Sequence, residues 1–201
     1  MGREFELKFT ATADVLPQIR ATFPGDWQKI SMETAYYDTP EGLLGQRRWT
    51  LRRRYENGKS VCTVKTPCAD GGRGEWETEC DRIEDAIPVL CKLGCPEELL
   101  TLTNDGLVHI CGAKFTRHAL TIEENGCILE IALDEGKLLG GDQEESLCEV
   151  EVELKSGTDA DALAYARVLA RKFGLRPEAK SKYLRALELA ATKLTLSGER
   201  E

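Results

Sequence analysis

The chain opens on a strict alternation of charged and apolar residues. Glu4, Glu6 and Lys8 share one face of an extended segment, and Phe5, Leu7 and Phe9 share the other. The same period returns at Glu149, Glu151, Glu153 and Lys155, interleaved with Val150, Val152 and Leu154. Between these ends, Arg52 and Arg54 fall on one face of a strand from Trp49 to Tyr55. Arg73, Glu75, Glu77 and Glu79 fall on one face of another, around Gly74 to Cys80. Further strands are predicted at Gln28 to Thr39, Ser60 to Lys65, His109 to Arg117, His118 to Glu123, Cys127 to Asp134 and Leu147 to Lys155. Asn57-Gly58 and Asn125-Gly126 supply hairpin turns.

Helical spacing appears from Asp14, read as an N-cap, to Ala21, from Glu84 to Leu93 across Pro88, and from Pro96 to Leu102. A longer helix starts at Thr158 or Asp159 and ends at Gly174, and a last one runs from Ser181 to about Leu194. Leu43 to Arg48 fits neither period. About eight strands, mostly in hairpins, with helices in the middle and at the end, give an α+β class.

The charged faces decide what such a sheet does. In a half-buried open sheet they meet water. In a closed antiparallel barrel of about eight strands they line one interior, and the apolar faces turn outward beneath the helices. A charged interior is stable only if its acids hold cations and its bases hold anions. Arginine forks match phosphate oxygens in pairs, and carboxylates on neighbouring strands suit hard divalent ions such as Mg²⁺ or Mn²⁺. The ligand this chemistry describes is a metal–polyphosphate complex.

Composition narrows the field. The 201 residues, 41% of them hydrophobic, suffice for a single domain over residues 1–195, leaving 196–201 as a disordered tail. A formal charge of −8 argues against nucleic acid as partner. Arg47, Arg48, Arg52, Arg53 and Arg54 nevertheless cluster, which suits a small anion better than a polymer. No run approaches the ~18 apolar residues of a membrane span, so no membrane partner is expected. The N-terminus enters a charged strand at once, without a signal peptide, and the expected location is cytoplasmic. The eight cysteines then read as buried thiols. His109 and His118 have no catalytic partner at useful spacing, and Trp27, Trp49 and Trp76 read as packing residues.

Glu4-Phe5-Glu6-Leu7-Lys8 resembles the ExExK signature of the CYTH domain, or triphosphate tunnel metalloenzyme, family. The resemblance continues in order through Tyr36 to Pro40, Leu51 to Arg54, Thr63-Val64-Lys65, Phe115-Thr116-Arg117, Glu130 to Gly136, Cys148 to Gly157 and Ser181-Lys182. The wording is most similar to the bacterial inorganic triphosphatase branch. It implies an eight-stranded tunnel, a triphosphate substrate and divalent metal, Mg²⁺ or Mn²⁺, two per site. By position, Glu4, Glu6, Glu151 and Glu153 resemble the metal-binding acids, with Glu149 and Asp134 contributing. Lys8, Arg52, Arg54, Lys65, Arg117 and Lys182 resemble the triphosphate-binding bases, with Arg73, Arg185 and Tyr36 beside them. Glu4, Glu6, Lys8, Glu151 and Glu153 form the expected catalytic set. Hydrolysis of tripolyphosphate to pyrophosphate and phosphate is the implied reaction. The alternatives are an adenylate cyclase, a thiamine triphosphatase and a non-catalytic polyphosphate or nucleotide binder, in a monomer or homodimer.

Overall fold

In a computed structural model, residues 5–68, 73–124 and 126–197 are described. The elements run β1 (Glu6–Thr10), α1 (Val15–Thr22), β2 (Gln28–Asp38), α2 (Leu43–Gln46), β3 (Thr50–Glu56), β4 (Lys59–Pro67), β5 (Arg73–Glu79), α3 (Ile83–Lys92) and α4 (Glu98–Leu102). They continue as β6 (Val108–Glu124), β7 (Cys127–Gly140), β8 (Gln143–Ser156), α5 (Asp159–Phe173), β9 (Arg176–Pro177) and α6 (Lys182–Ser197). The class is α+β. The strands form one nine-stranded antiparallel sheet in the order β5-β4-β3-β2-β6-β7-β8-β1-β9. The ninth strand, which the sequence did not suggest, is a two-residue pairing of Arg176 and Pro177 with β1.

Two apolar clusters fix the direction of every strand's faces. Phe9, Leu129, Ile131, Leu133, Val150 and Val152 pack beneath α1 and α5 through Leu16, Ile19, Ala162, Ala166 and Leu169. Leu51, Cys62 and Val64 pack beneath α3 and α4 through Ile83, Ile87, Leu90 and Leu99. Each such side chain contributes about 1.5–3 kcal/mol when fully buried, so the apolar faces turn toward the helices. Alternation then leaves the charged residues only the opposite face. Cross-strand partners share a face. The register accordingly places Glu6, Lys8, Arg52, Arg54, Lys65, Arg73, Glu75, Glu77, Arg117, Asp134, Glu149, Glu151 and Glu153 on one side of the sheet.

A third cluster lies on that charged side, where α6 covers one end of it. Met32, Tyr36, Ala113, Phe115, Leu138 and Leu147 meet Ala186, with Tyr183 and Leu187 at the edge. The contact needs a glycine. A Cβ at Gly140 would lie 2.4 Å from the Ala186 carbonyl oxygen and 2.5 Å from the Ala190 nitrogen. The helix backbone therefore rests directly on β7.

Several expectations are corrected. His109 to Glu123 is not two strands but the single β6, continuous through His118. The β7–β8 hairpin extends to Gly140 and Gln143, well past the predicted ends at Asp134 and Leu147. Asp14 takes an αR conformation and makes no side-chain cap. Leu43 to Gln46 is a short helix, organised by the buried carboxylate of Asp38. Asp38 Oδ1 accepts from Thr39 N at 2.7 Å and Leu44 N at 2.9 Å, and its Oδ2 accepts from Gly45 N at 2.9 Å. Thr158 does cap α5, its Oγ1 accepting from Asp161 N at 3.2 Å, and Gly174 ends that helix in the left-handed region. Asn57 and Gly58 turn β3 into β4 with φ of 45° and 94°. Asn125 and residues 198–201 of the tail lie outside the described residues. All eight cysteines are free thiols. Among the described residues no helix is long and apolar enough to cross a membrane.

Candidate active site

Three adjacent registers build the acidic half of the charged face. Arg117, Asp134, Glu149 and Thr10 form one row across β6, β7, β8 and β1. Ala119, Ala132, Glu151 and Lys8 form the next, and Thr121, Glu130, Glu153 and Glu6 the third. Alternation along each strand and antiparallel pairing between strands are enough to assemble them.

The first two rows close into a buried ion network with α6. Arg117 grips Asp134 in a two-pronged contact: Nε donates to Oδ1 and Nη2 to Oδ2, each at 2.7 Å. Arg117 Nη2 also donates to Glu151 Oε2. From α6, Lys182 Nζ donates to Glu151 Oε1 at 2.6 Å, lies 2.9 Å from Asp134 Oδ2 and donates to Glu149 Oε2. Arg185 donates to Glu149 Oε1 and, at 2.8 Å, to Glu145 Oε1. Asp134 and Glu149 are fully buried and Glu151 is 6% exposed. Three bases thus face three acids, which is what makes so much buried charge tolerable.

The protonation preferences follow from that packing. Burial works against the Lys182 charge, but Glu151, Asp134 and Glu149 outweigh it and hold the ammonium above its usual range. Burial likewise opposes the Arg117 charge and is overcome by the Asp134 hydrogen bond and the Glu151, Asp134 and Glu6 charges. At Glu151 burial favours the neutral acid, yet Lys182 and Arg117 prevail and bring it down to about 2. At Glu149 burial wins over Lys182 and pushes the carboxyl up.

The basic half lies on β3, β4 and β5. Lys65 Nζ is 3.0 Å from Glu75 Oε2, and Arg52 Nη2 is 3.8 Å from Glu75 Oε1. Arg54 pairs with Glu56. Arg73 Nη2 donates to the Arg48 carbonyl at 3.3 Å and to Thr50 Oγ1 at 3.4 Å. Burial, Arg52 and Arg117 depress the Arg54 pKa against the opposing pull of Glu56 and Glu77. Arg52 Nε and Thr63 Oγ1 are buried here without a hydrogen-bond partner. Such orphaned groups favour an acceptor that is absent from the protein itself. Arg53 points the other way, its Nη1 donating to the Asp81 carbonyl at 3.0 Å.

Of the residues singled out in the sequence, the structure gathers Asp134, Glu149, Glu151, Arg117, Lys182 and Arg185 into one cluster, with Lys8, Glu6 and Glu153 in the neighbouring register positions. Arg52, Arg54, Lys65 and Arg73 form a second group on the same face. Tyr36 packs under α6, its ring 4.9 Å from that of Tyr183. Glu4 lies outside the described residues. Glu130 and Thr63, quoted in the sequence motifs without a role, also lie on the site face. Glu130 is four positions before Asp134 and Thr63 two before Lys65, so period two alone would have placed both.

Asp134, Glu149 and Glu151 offer carboxylate oxygens within 4.8 Å of one another, a hard donor set that suits a divalent ion. Each also carries a basic partner. A metal would therefore share these acids with Lys182 and Arg117, while half-buried Glu6 and Glu153 extend the donor set on the adjoining strands.

Known proteins resemble this chain over most of its length. An inorganic triphosphatase of Haemophilus influenzae is 29% identical over 84% of this chain, which spans about 50% of that protein's length. A Pyrococcus horikoshii OT3 structure aligns with TM-score 0.61 and 24% identity, over 92% of this chain and 98% of that one. A Hippeastrum protein, whose name pairs adenylyl cyclase with a dominant triphosphatase activity, aligns with TM-score 0.59 and 17% identity, over 91% and 94% of the two chains. These two structures share the fold. The CYTH domain model matches residues 2–187, nearly the whole chain, and the protein belongs to the CYTH domain family.

Proposed function

We propose that the charged face binds a triphosphate chain and hydrolyses it, with inorganic tripolyphosphate as the simplest substrate. The observation that carries the reading is the division of one face into a basic group, Arg52, Arg54 and Lys65, and an acidic group around Glu151. The buried orphan donor of Arg52 supports it. So does a relative named as an inorganic triphosphatase. In this reading the sheet closes into a tunnel around the substrate.

Arg52, Arg54 and Lys65 hold non-bridging oxygens, fixing the chain in line for attack. Lys182 and Arg117, preorganised by Asp134 and Glu151, present positive charge to the negative charge that accumulates on the transferring phosphoryl group. A divalent ion, Mg²⁺ or Mn²⁺, held by Glu6, Glu151 and Glu153 would add charge neutralisation and lower the pKa of the attacking water. A carboxylate of β8 orients that water. Its oxygen forms a bond to the terminal phosphorus as the bridging P–O bond breaks. The pyrophosphate leaves with the electron pair, and the water proton passes to the carboxylate and then to solvent.

Ion chromatography of products from tripolyphosphate, ATP and thiamine triphosphate, each with Mg²⁺ and with Mn²⁺, tests the assignment. The expected products are pyrophosphate and phosphate from tripolyphosphate, and no cyclic AMP from ATP. Cyclic AMP and pyrophosphate from ATP, with tripolyphosphate untouched, would make this a cyclase.

A further inference from the structure

Away from the charged face, two thiols meet at the end of α3. The stretch Cys91-Lys92-Leu93-Gly94-Cys95 closes that helix in a way that brings its cysteines together. Gly94 takes a φ of 101°, in the left-handed region that a Cβ disfavours. Gly94 N donates to the Cys91 carbonyl at 3.0 Å, and Cys95 N donates to the Leu90 carbonyl at 3.1 Å. These two bonds make a Schellman motif, which folds the residue after the glycine back onto the last helical turn. Cys95 is that residue, 3% exposed and packed in the cluster beneath α3.

The two sulfurs converge on one oxygen. Cys91 Sγ lies 3.9 Å and Cys95 Sγ 3.8 Å from the Pro96 carbonyl oxygen, and each thiol is within hydrogen-bonding reach of the other. Other thiols have separate acceptors: Cys62 donates to the Cys80 carbonyl, Cys80 to the Arg82 carbonyl and Cys111 to the Tyr183 carbonyl. Cys91 is half-buried and open to a small reagent, whereas Cys95 is closed off. An accessible thiol beside a second one is the arrangement of a reacting and a resolving cysteine. Burial pushes both thiols up, Cys95 to about 12, so the pair rests as the dithiol and exchanges slowly.

We propose that Cys91 and Cys95 form a reversible intramolecular disulfide on contact with a low-molecular-weight disulfide such as oxidised glutathione. The Cys91 thiolate attacks one sulfur of the oxidant and bonds to it. The other glutathione sulfur leaves with the electron pair and takes up the proton that Cys91 released. The Cys95 thiolate then attacks Cys91 Sγ, and the second glutathione thiolate leaves and takes up the Cys95 proton. The two cysteines are thereby oxidised by two electrons, and one oxidant molecule is reduced to two thiols. The bridge ties the end of α3 to the turn that leads into α4, on the side of the sheet away from the charged face. The inference is independent of the triphosphate reading.

The test incubates native wild type, Cys91→Ser and Cys95→Ser with oxidised glutathione, quenches with acid, alkylates and maps the peptides by mass spectrometry. Wild type should lose two of its eight thiols to a Cys91–Cys95 bridge and recover both with dithiothreitol. Cys95→Ser should stop at the mixed disulfide, with the glutathionyl group retained on Cys91. In Cys91→Ser, reaction at the buried Cys95 should be slower by about tenfold or more. A lasting glutathione adduct on Cys91 of wild type, a bridge between other cysteines in its place, or eight intact thiols would each overturn the proposal. Should a variant fail to fold, the wild-type map still decides the bridge.

Discussion

Lys182 places its ammonium 2.6 Å from Glu151 Oε1, and the same nitrogen also contacts Asp134 and Glu149. A side chain from the last helix is therefore the built-in cation of an acid cluster on the sheet. Removing it with Lys182→Met leaves buried carboxylates short of a partner. Loss of one member of a buried ion network costs about 3–5 kcal/mol. The melting temperature should fall in EDTA, and Mn²⁺ should restore more of it in the variant than it adds to wild type. Differential scanning fluorimetry with and without Mn²⁺ checks this. An identical Mn²⁺ effect in both proteins would mean that the cluster holds no metal.

Arg52 and Arg54 face the site while Arg53, between them, bonds to the Asp81 carbonyl on the other side. A charge-assisted hydrogen bond contributes about 1.5–3 kcal/mol, so Arg52→Ala and Arg54→Ala should each lower kcat/KM roughly tenfold to a hundredfold. Arg53→Ala should leave it within about threefold. Steady-state kinetics on tripolyphosphate measures all three, and a largest loss at Arg53 would contradict the register.

That pair of faces was legible in the sequence because period two needs no tertiary information. The same rule groups Glu6 with Lys8, and Glu151 with Glu153, from the alternation alone. The packing of α6 was not legible. It depends on Gly140 admitting a helix backbone and on Lys182 reaching across to acids on two strands, neither of which leaves a periodic trace. The unbroken β6 was missed because the paired residues of β2 and β7 carry it through His118, a long-range support that local propensity does not record. The role of Asp38, quoted only as part of a motif, was not legible because its work is done on backbone amides six and seven residues on.

Acid should weaken the network through Glu151, whose carboxyl is held at about 2 against an ordinary 4.5. A carboxylate depressed in the folded state adds stability above its ordinary pKa. That stability disappears as pH falls from about 4.5 toward 2. The melting-temperature gap between wild type and Glu151→Gln should be widest near neutrality and shrink through this window. Glu149 is pushed the opposite way by burial, with the Glu151 charge adding to the rise, so Glu151→Gln removes that contribution as well. A gap that is constant from pH 7 to pH 3 would show that the Glu151 charge does not stabilise the fold.

Glu6 and Glu149 should part company when each is changed to glutamine. Glu149 is fully buried, and its two oxygens accept from Lys182 and Arg185, tying α6 to the sheet. Glu6 is half-buried, directly opposite Glu153, at the margin of the network, and its charge helps to hold the Arg117 guanidinium protonated. Glu149→Gln should therefore lower the melting temperature by several degrees, with metal dependence of the remaining activity little altered. Glu6→Gln removes a partly solvated charge. It should lower the melting temperature in EDTA less than Glu149→Gln does, while moving the Mg²⁺ concentration for half-maximal activity upward by about tenfold or more. Metal titrations of tripolyphosphate hydrolysis, paired with melts of the same preparations, separate the two roles. If Glu6→Gln unfolds the protein and Glu149→Gln shifts the metal requirement instead, the assignment of structural and metal-binding acids must be exchanged.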